Sequence, residues 1–294
     1  VQAGPLRFFS SDLFASPRFI FLGLLIGLIA TLMSIYHRDT AITVRQAYTA
    51  FALGIAWLPY LNVARWPFGA ESIEGPIFPL NDPAWSLFFE FFVNAVFFLF
   101  LYRYRKSPGA LLVLLAALAF ILLEITTGKF NPGWGRWNFF LGFPRVIAEF
   151  FFGTLIYSLG LHRKKFPLVL VILVSIISLL CLFSSNHTVA LFDSLTLIPV
   201  AVILIATVKI QNIAVRSLCK KLGDLSYCLY ILHFAFYRLV FELFDMKSLS
   251  PLVQTFIVAA ACLAVSASLS GVEMKTRRWF MSRLASASPA VVAP

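Results

Sequence analysis

The sequence predicts an all-α protein, a polytopic transmembrane helix bundle of about eight or nine spans. Three observations predict it. The 294-residue chain is 60% hydrophobic and only 13% charged, about half the charged share of an ordinary soluble domain, and its mean hydropathy is +0.88. Its apolar residues gather into blocks near the ~20 residues that a helix needs to cross a bilayer. The loops between those blocks are short and basic, and the basic residues concentrate in alternate loops, as membrane topology requires.

The spans read as 19–36, 47–63, 84–101, 109–125, 139–160, 167–184, 190–208, 222–243 and 252–271. Pro83, Pro108, Pro144, Pro167 and Pro251 fall at or just before span starts, where a missing N–H costs nothing. The second span is the weakest: it holds Gly54 and Pro59 and ends at Arg65, so a half-helix or an interfacial helix fits it as well as a crossing. Residues 1–280 read as one transmembrane domain, and 281–294 as a flexible cytoplasmic tail.

The net charge is +11. Such a charge could signal nucleic acid, but its distribution excludes that. With nine spans, loops at 38–45, 103–106, 163–165, 209–221 and 275–283 share one side and hold sixteen of the 24 basic residues. The opposite side holds six, Arg7, Arg18, Arg65, Lys129, Arg136 and Lys247; Arg145 and Arg238 lie within spans. The positive-inside rule makes the first side cytoplasmic, together with the C-terminus. The four cysteines are scattered, with neither metal-ligand spacing nor a disulfide framework, so no metal is expected.

An ionisable group inside a span costs about 2.5–3.5 kcal/mol on insertion scales and needs a reason. In "PLNDPAWSLFFEFFVNAVFF" Ser86, Glu90 and Asn94 recur at four-residue spacing, one face of a helix. Asp82–Pro83 reads as an N-cap followed by a first-turn proline, and Trp85 as an interfacial indole. In "LGFPRVIAEFFFGTLIY" Arg145 and Glu149 can pair on their own helix, and Gly153 would admit a neighbouring helix. Arg145 could equally meet Glu90, or hold a carbonyl or phosphate of a substrate. In "LGDLSYCLYILHFAFYRLVFE" Ser226, Tyr230, His233 and Tyr237 fall at i, i+4, i+7 and i+11, again one face, which predicts a polar cavity. The loop "KFNPGWGRWNFF" (129–140) joins Trp134 and Arg136 with glycine and asparagine, a set that suits either a sugar ring or an interfacial aromatic belt.

Three of these motifs, in this order, resemble the acyltransferase type 3 family of bacterial integral-membrane O-acyltransferases. "PLNDPAWSLFFE" is similar to that family's "N-x-PAWSL-x-x-E" signature. "RVIAEFFFG" resembles its Arg-x4-Phe-x2-Gly helix, and "LGDLSYCLYILHF" its "LG-x-x-SY-x-LYLLH" helix. The terminal "SGVEMKTRRWF" resembles its last helix, with Met274 in place of the common proline. The resemblance spans about 80–280.

The resemblance implies transfer of an acyl group, often acetyl, from cytoplasmic acyl-CoA to a hydroxyl of a sugar or cell-envelope polysaccharide at the bacterial inner membrane. It implies no bound cofactor, with acyl-CoA as donor co-substrate. It places Glu90, His233 and Arg145 in catalysis, and Trp85, Ser86, Asn81, Tyr227, Tyr230, Ser226, Arg136 and Trp134 at the substrate. The family's opening helix carries an arginine and a histidine about eleven residues apart, the histidine taken as the base. At that spacing His37 here follows Ile26. The expectation is therefore that one or two helices precede Val1, in which case His233 and Tyr230 orient that base or bind the acceptor. Two such helices would put residue 1 in the cytoplasm, and a span 47–63 that fails to cross makes the two topologies agree. The rival class is a proton-coupled transporter or flippase of lipid-linked sugars, using Glu90, Arg145 and His233 as a relay. An inactive fragment of the acyltransferase is a third reading.

Overall fold

The computed structural model describes residues 5–37, 40–68, 71–104, 118, 132–158, 160, 166–182, 200, 204, 212–244, 246, 249–250 and 252–268. Most of them are helical, as an all-α chain requires. The expected spans 109–125 and 190–208 and the tail 281–294 lie outside the described residues, apart from single helical positions at 118, 200 and 204. The chain divides into two compact units, one formed by residues up to Trp85 and from Ser217 onward, the other by Ser86–Arg216.

The first unit opens with α1, Pro5–His37. Within it Phe19–His37 has a mean hydropathy of 2.4 over 19 residues, and among the described residues it alone is long and apolar enough to cross a membrane. Ala84–Leu99, Leu168–Leu180 and Leu252–Ser268 are apolar but shorter, so the described residues hold one helix of spanning length. Gly23 and Gly27, four apart, lie where α1 runs against the 79–82 segment: a Cβ on Gly27 would collide with the Leu80 carbonyl, and one on Gly23 with the Asn81 amide.

Helix α2, Val44–Ile55, starts at a capping box. The Thr43 amide donates to Gln46 Oε1 at 2.8 Å and the Gln46 amide to Thr43 Oγ1 at 3.3 Å, satisfying two donors at the helix start. Its 12 residues rise roughly 18 Å, too little for a ~30 Å hydrocarbon core. Span 47–63 is therefore not one crossing helix; residues 58–64 are irregular.

A two-stranded antiparallel hairpin follows, β1 Arg65–Phe68 and β2 Glu71–Glu74, an element that the all-α expectation lacked. Tertiary contacts hold it. Trp66 is buried, donates from Nε1 to Asn62 Oδ1 at 2.9 Å and meets the Tyr60 ring edge-on. The Arg65–Glu74 pair at 3.6 Å is exposed and contributes little.

Helix α6, Ile213–Leu243, and α7, Leu252–Ser268, complete this unit. Lys220 and Lys221 belong to α6 and not to a basic loop, because the helix starts nine residues before the apolar run. Val240, Phe241 and Met246 pack with Ile257, Val258 and Ala261 of α7. Gln254 Nε2 donates to the carbonyls of Met246 at 2.8 Å and Leu249 at 2.9 Å, closing the turn.

The second unit takes up α3, Ala84–Tyr104, from Ser86 on, then a 3-10 turn Arg136–Leu141, α4 Gly142–Ser158 and α5 Leu168–Leu182. The phenylalanine run of α3 is its packing face. The fully buried Phe89 meets Phe143 at 5.0 Å and Phe139 at 5.8 Å, Phe92 meets Phe143 at 4.7 Å, and Phe97 meets Phe150 at 5.3 Å. Tilted and edge-on pairs of this kind suit the ring quadrupole. Gly142 has no room for a side chain against the Phe89 ring, whereas Gly153 faces nothing within 4 Å among the described residues. The close approach that the described residues show is the one at Gly142.

Candidate functional site

In the first unit a cavity of about 780 Å³ opens between α6 and α7, with Phe68 of the hairpin in its wall. Ser226, Tyr230, His233 and Tyr237 all line it, so the i, i+4, i+7, i+11 face expected of α6 is one face of one cavity. Much of the remaining wall is apolar, from Phe234, Leu229, Val258 and Leu263. Cys262 is buried, and its Sγ lies 3.6 Å from the His233 carbonyl.

His233 is held by its own helix. Its Nδ1 lies 2.8 Å from the Tyr230 carbonyl and 3.2 Å from that of Leu229. A carbonyl only accepts, so Nδ1 must carry the hydrogen, and in the neutral ring Nε2 is then the acceptor. The helix thereby sets the tautomer as well as the ring orientation. The Tyr230 ring stands 6.1 Å from the imidazole. Ser226 Oγ donates to the Gly223 carbonyl at 2.8 Å. Tyr227 lies in α6, but its side chain is outside the described residues.

Beside these sits a buried polar cluster that the sequence reading left without a role. Arg238 is buried on α6. Its Nη1 donates to the Pro79 carbonyl at 2.7 Å and its Nη2 to Thr31 Oγ1 at 2.6 Å; Thr31 in turn donates to the Gly27 carbonyl at 2.8 Å. Asp82 and Glu242 both interact electrostatically with Arg238. Burial pushes the Asp82 carboxyl up to about 7, against the pull of the guanidinium. Asp82 Oδ1 is buried with no hydrogen-bond partner among the described residues. The turn into α3 is instead closed by backbone bonds, Ala84 to the Asn81 carbonyl at 3.0 Å and Trp85 to the Asp82 carbonyl at 3.1 Å, which corrects the N-cap expectation for the Asp82 side chain. Arg238 with Glu242 at i+4 was the available signal.

Asn81 is fully buried, and neither atom of its side-chain amide has a hydrogen-bond partner among the described residues. Trp85 is buried. In the second unit Ser86 is half-buried and Glu90 exposed. Asn94 Nδ2 donates to the Glu90 backbone carbonyl at 2.8 Å, so the amide bonds the main chain there. Arg145 is buried, with Nε 3.7 Å from Glu149 Oε1, the pair its spacing predicts. In the 129–140 segment Asn138 Oδ1 accepts from the Gly133 and Gly135 amides at 3.1 and 2.9 Å, folding it into a turn. Trp134 and Trp137 meet edge-on at 5.1 Å, and Arg136 is exposed. No group of three or more metal-ligating side chains occurs among the described residues.

Fold and cavity define a helical protein with a bilayer-length apolar helix and a largely apolar cavity lined by Ser226, Tyr230, His233 and Tyr237. The chain belongs to the acyltransferase type 3 family: the family model for an acyltransferase domain matches residues 5–271. No curated protein matches the chain, and no solved structure matches it.

Proposed function

We propose that the protein is a membrane-embedded O-acyltransferase that moves an acyl group from acyl-CoA to a hydroxyl of a sugar or envelope polysaccharide at the bacterial inner membrane, with its C-terminus cytoplasmic. The single observation that carries this reading is the placement of His233, whose Nδ1 lies 2.8 Å from a helix carbonyl while its side chain lines the cavity, so that Nε2 serves as the acceptor. The acceptor hydroxyl donates to Nε2. As its oxygen attacks the thioester carbonyl carbon, the proton passes to His233. The C–S bond breaks, and the CoA thiolate leaves and takes up that proton, so the ester and free CoA are the products. Tyr230 and Ser226 bind the acceptor. Arg145 holds an anionic group, and Glu90 with Ser86 sets the charge around α3. Lysines and arginines near 103–106 and 216–221 supply cations for the CoA phosphates.

The reading is tested by CoA release from acetyl-CoA in membranes carrying the full-length gene. Acceptor-dependent release that His233→Gln abolishes supports it. Proton-coupled solute uptake without thioester cleavage would replace it with a transporter.

A further inference from the structure

We propose that α6 carries the acyl donor along its length, with the acyl chain running from His233 toward Phe68, so that Phe68 sets the longest chain the cavity accepts. This placement rests on the acyltransferase reading of the cavity.

The lining is ordered along the helix. Ser226, Tyr230 and His233 come first, and Tyr237 lies one turn beyond His233. At that far end the hairpin closes the space, with the Phe68 ring 4.7 Å from Phe234 and 5.5 Å from Tyr237. Four residues of helix rise roughly 6 Å, room for a few methylenes beyond the thioester carbon and not for a long fatty chain. The wall there is Phe68, Phe234 and Val258, and the Gln254 amide is already engaged by two backbone carbonyls. Apart from Tyr237 and Thr255, whose side chains also line the cavity, this wall is apolar and suits an alkyl chain better than a hydroxylated sugar. An acetyl group alone would leave this apolar end unfilled.

The opposite direction fits the rest of the donor. Lys220 and Lys221 are exposed on α6. Lys221 is twelve residues before His233, roughly 18 Å along the axis, a span suited to an extended pantetheine arm between phosphate and thioester. The donor thus has its phosphates at the lysines, its sulfur near His233 and its chain end at Phe68; Lys221 lies about 120° around the helix from His233, so the arm runs beside the Ser226 and Tyr230 face, which is left to the acceptor.

The test is CoA release by membranes carrying the full-length gene, with acetyl-, butanoyl-, hexanoyl- and octanoyl-CoA as probes. Wild type is expected to favour butanoyl and hexanoyl over octanoyl. Phe68→Ala should raise the octanoyl-to-acetyl rate ratio by tenfold or more, since each buried methylene contributes roughly fourfold in binding. Phe68→Trp should lower the hexanoyl-to-acetyl ratio, and Phe68→Leu, which keeps an apolar plug on the hairpin, should shift the optimum by a smaller step. Lys220→Ala with Lys221→Ala should raise KM for every thioester by one common factor and leave the chain-length order intact. Unchanged ratios in the alanine and tryptophan variants, with CoA still released, overturn the placement while leaving the acyltransferase standing. A shift only in KM for the acceptor assigns that end to the acceptor and also overturns it. Absence of CoA release from every thioester with wild type refutes the acyltransferase itself.

Discussion

The Arg238 guanidinium donates to the Pro79 carbonyl at 2.7 Å, joining two points 159 residues apart in the chain. The same side chain reaches Thr31 on α1 at 2.6 Å. One cation therefore ties α6, α1 and the segment that leads into α3, and does so from a buried position. Arg238→Met should destabilise the protein by roughly 2–5 kcal/mol, since hydrogen bonds to a buried charged group contribute about 1.5–3 kcal/mol each and a stranded carbonyl adds to the loss. Arg238→Lys should recover only part of this, lacking the planar fork. Thermal unfolding of detergent-solubilised protein measures both, and an unchanged midpoint in the methionine variant would remove the clamp from the account.

Asp82 makes stability pH-dependent. Its carboxyl titrates at 3.8 when unperturbed and at about 7 in the fold, so the folded state binds its proton more tightly than the unfolded chain. The contribution is fully present below about pH 4 and is lost as pH rises through about 7. Wild type should therefore lose stability between about pH 4 and 7, and Asp82→Asn should flatten the profile in that window. An equally steep slope in the asparagine variant would assign the dependence to another group.

The close approach of α1 to the 79–82 segment gives a paired test on two glycines. Gly27→Ala drives a methyl into the Leu80 backbone carbonyl, which has little freedom to yield, so a loss of about 1–3 kcal/mol or more is expected. Gly153→Ala meets nothing among the described residues and should be neutral or stabilising by up to ~1 kcal/mol from helix propensity. Equal effects at the two sites, read by thermal unfolding, would contradict the packing described.

Much of this was legible because it is local. Proline at the first turn and an unbroken apolar run mark the starts of α4, α5 and α7 to within a few residues. The α6 face followed from spacing alone, whereas spacing offered Glu149 as only one of three partners for Arg145. What was not legible depends on distant partners. The hairpin is four residues a side with Pro67 inside it, too short to announce a strand, and it stands because Trp66 is buried and Phe68 packs on α6. Lys220 and Lys221 read as a loop because they are polar, although lysine propagates a helix readily. Which of several glycines admits a neighbour, and which carbonyl receives Arg238, are properties of the packed chain. The fully buried Asn81 amide was legible as a motif residue but not as an unpaired group.

His233 separates chemistry from architecture. Its ring is oriented by its own helix, so removing the imidazole strands only one helical carbonyl pair that already has backbone partners in an α-helix. His233→Phe should therefore leave the thermal midpoint within about 1 kcal/mol of wild type, the range typical of a substitution that breaks no buried network. Its CoA release should nevertheless fall by about 10²–10⁴-fold, the range for loss of a general base, with the fall in kcat and not in KM for the thioester. Arg238→Met should show the converse pattern, a lowered midpoint with residual activity per folded molecule. Tyr230→Phe should fall between them, raising KM for the acceptor. Stopped assays of CoA release alongside melting curves distinguish these outcomes. If His233→Phe released CoA at the wild-type rate, the imidazole would serve only its own helix, and the base would have to be sought elsewhere.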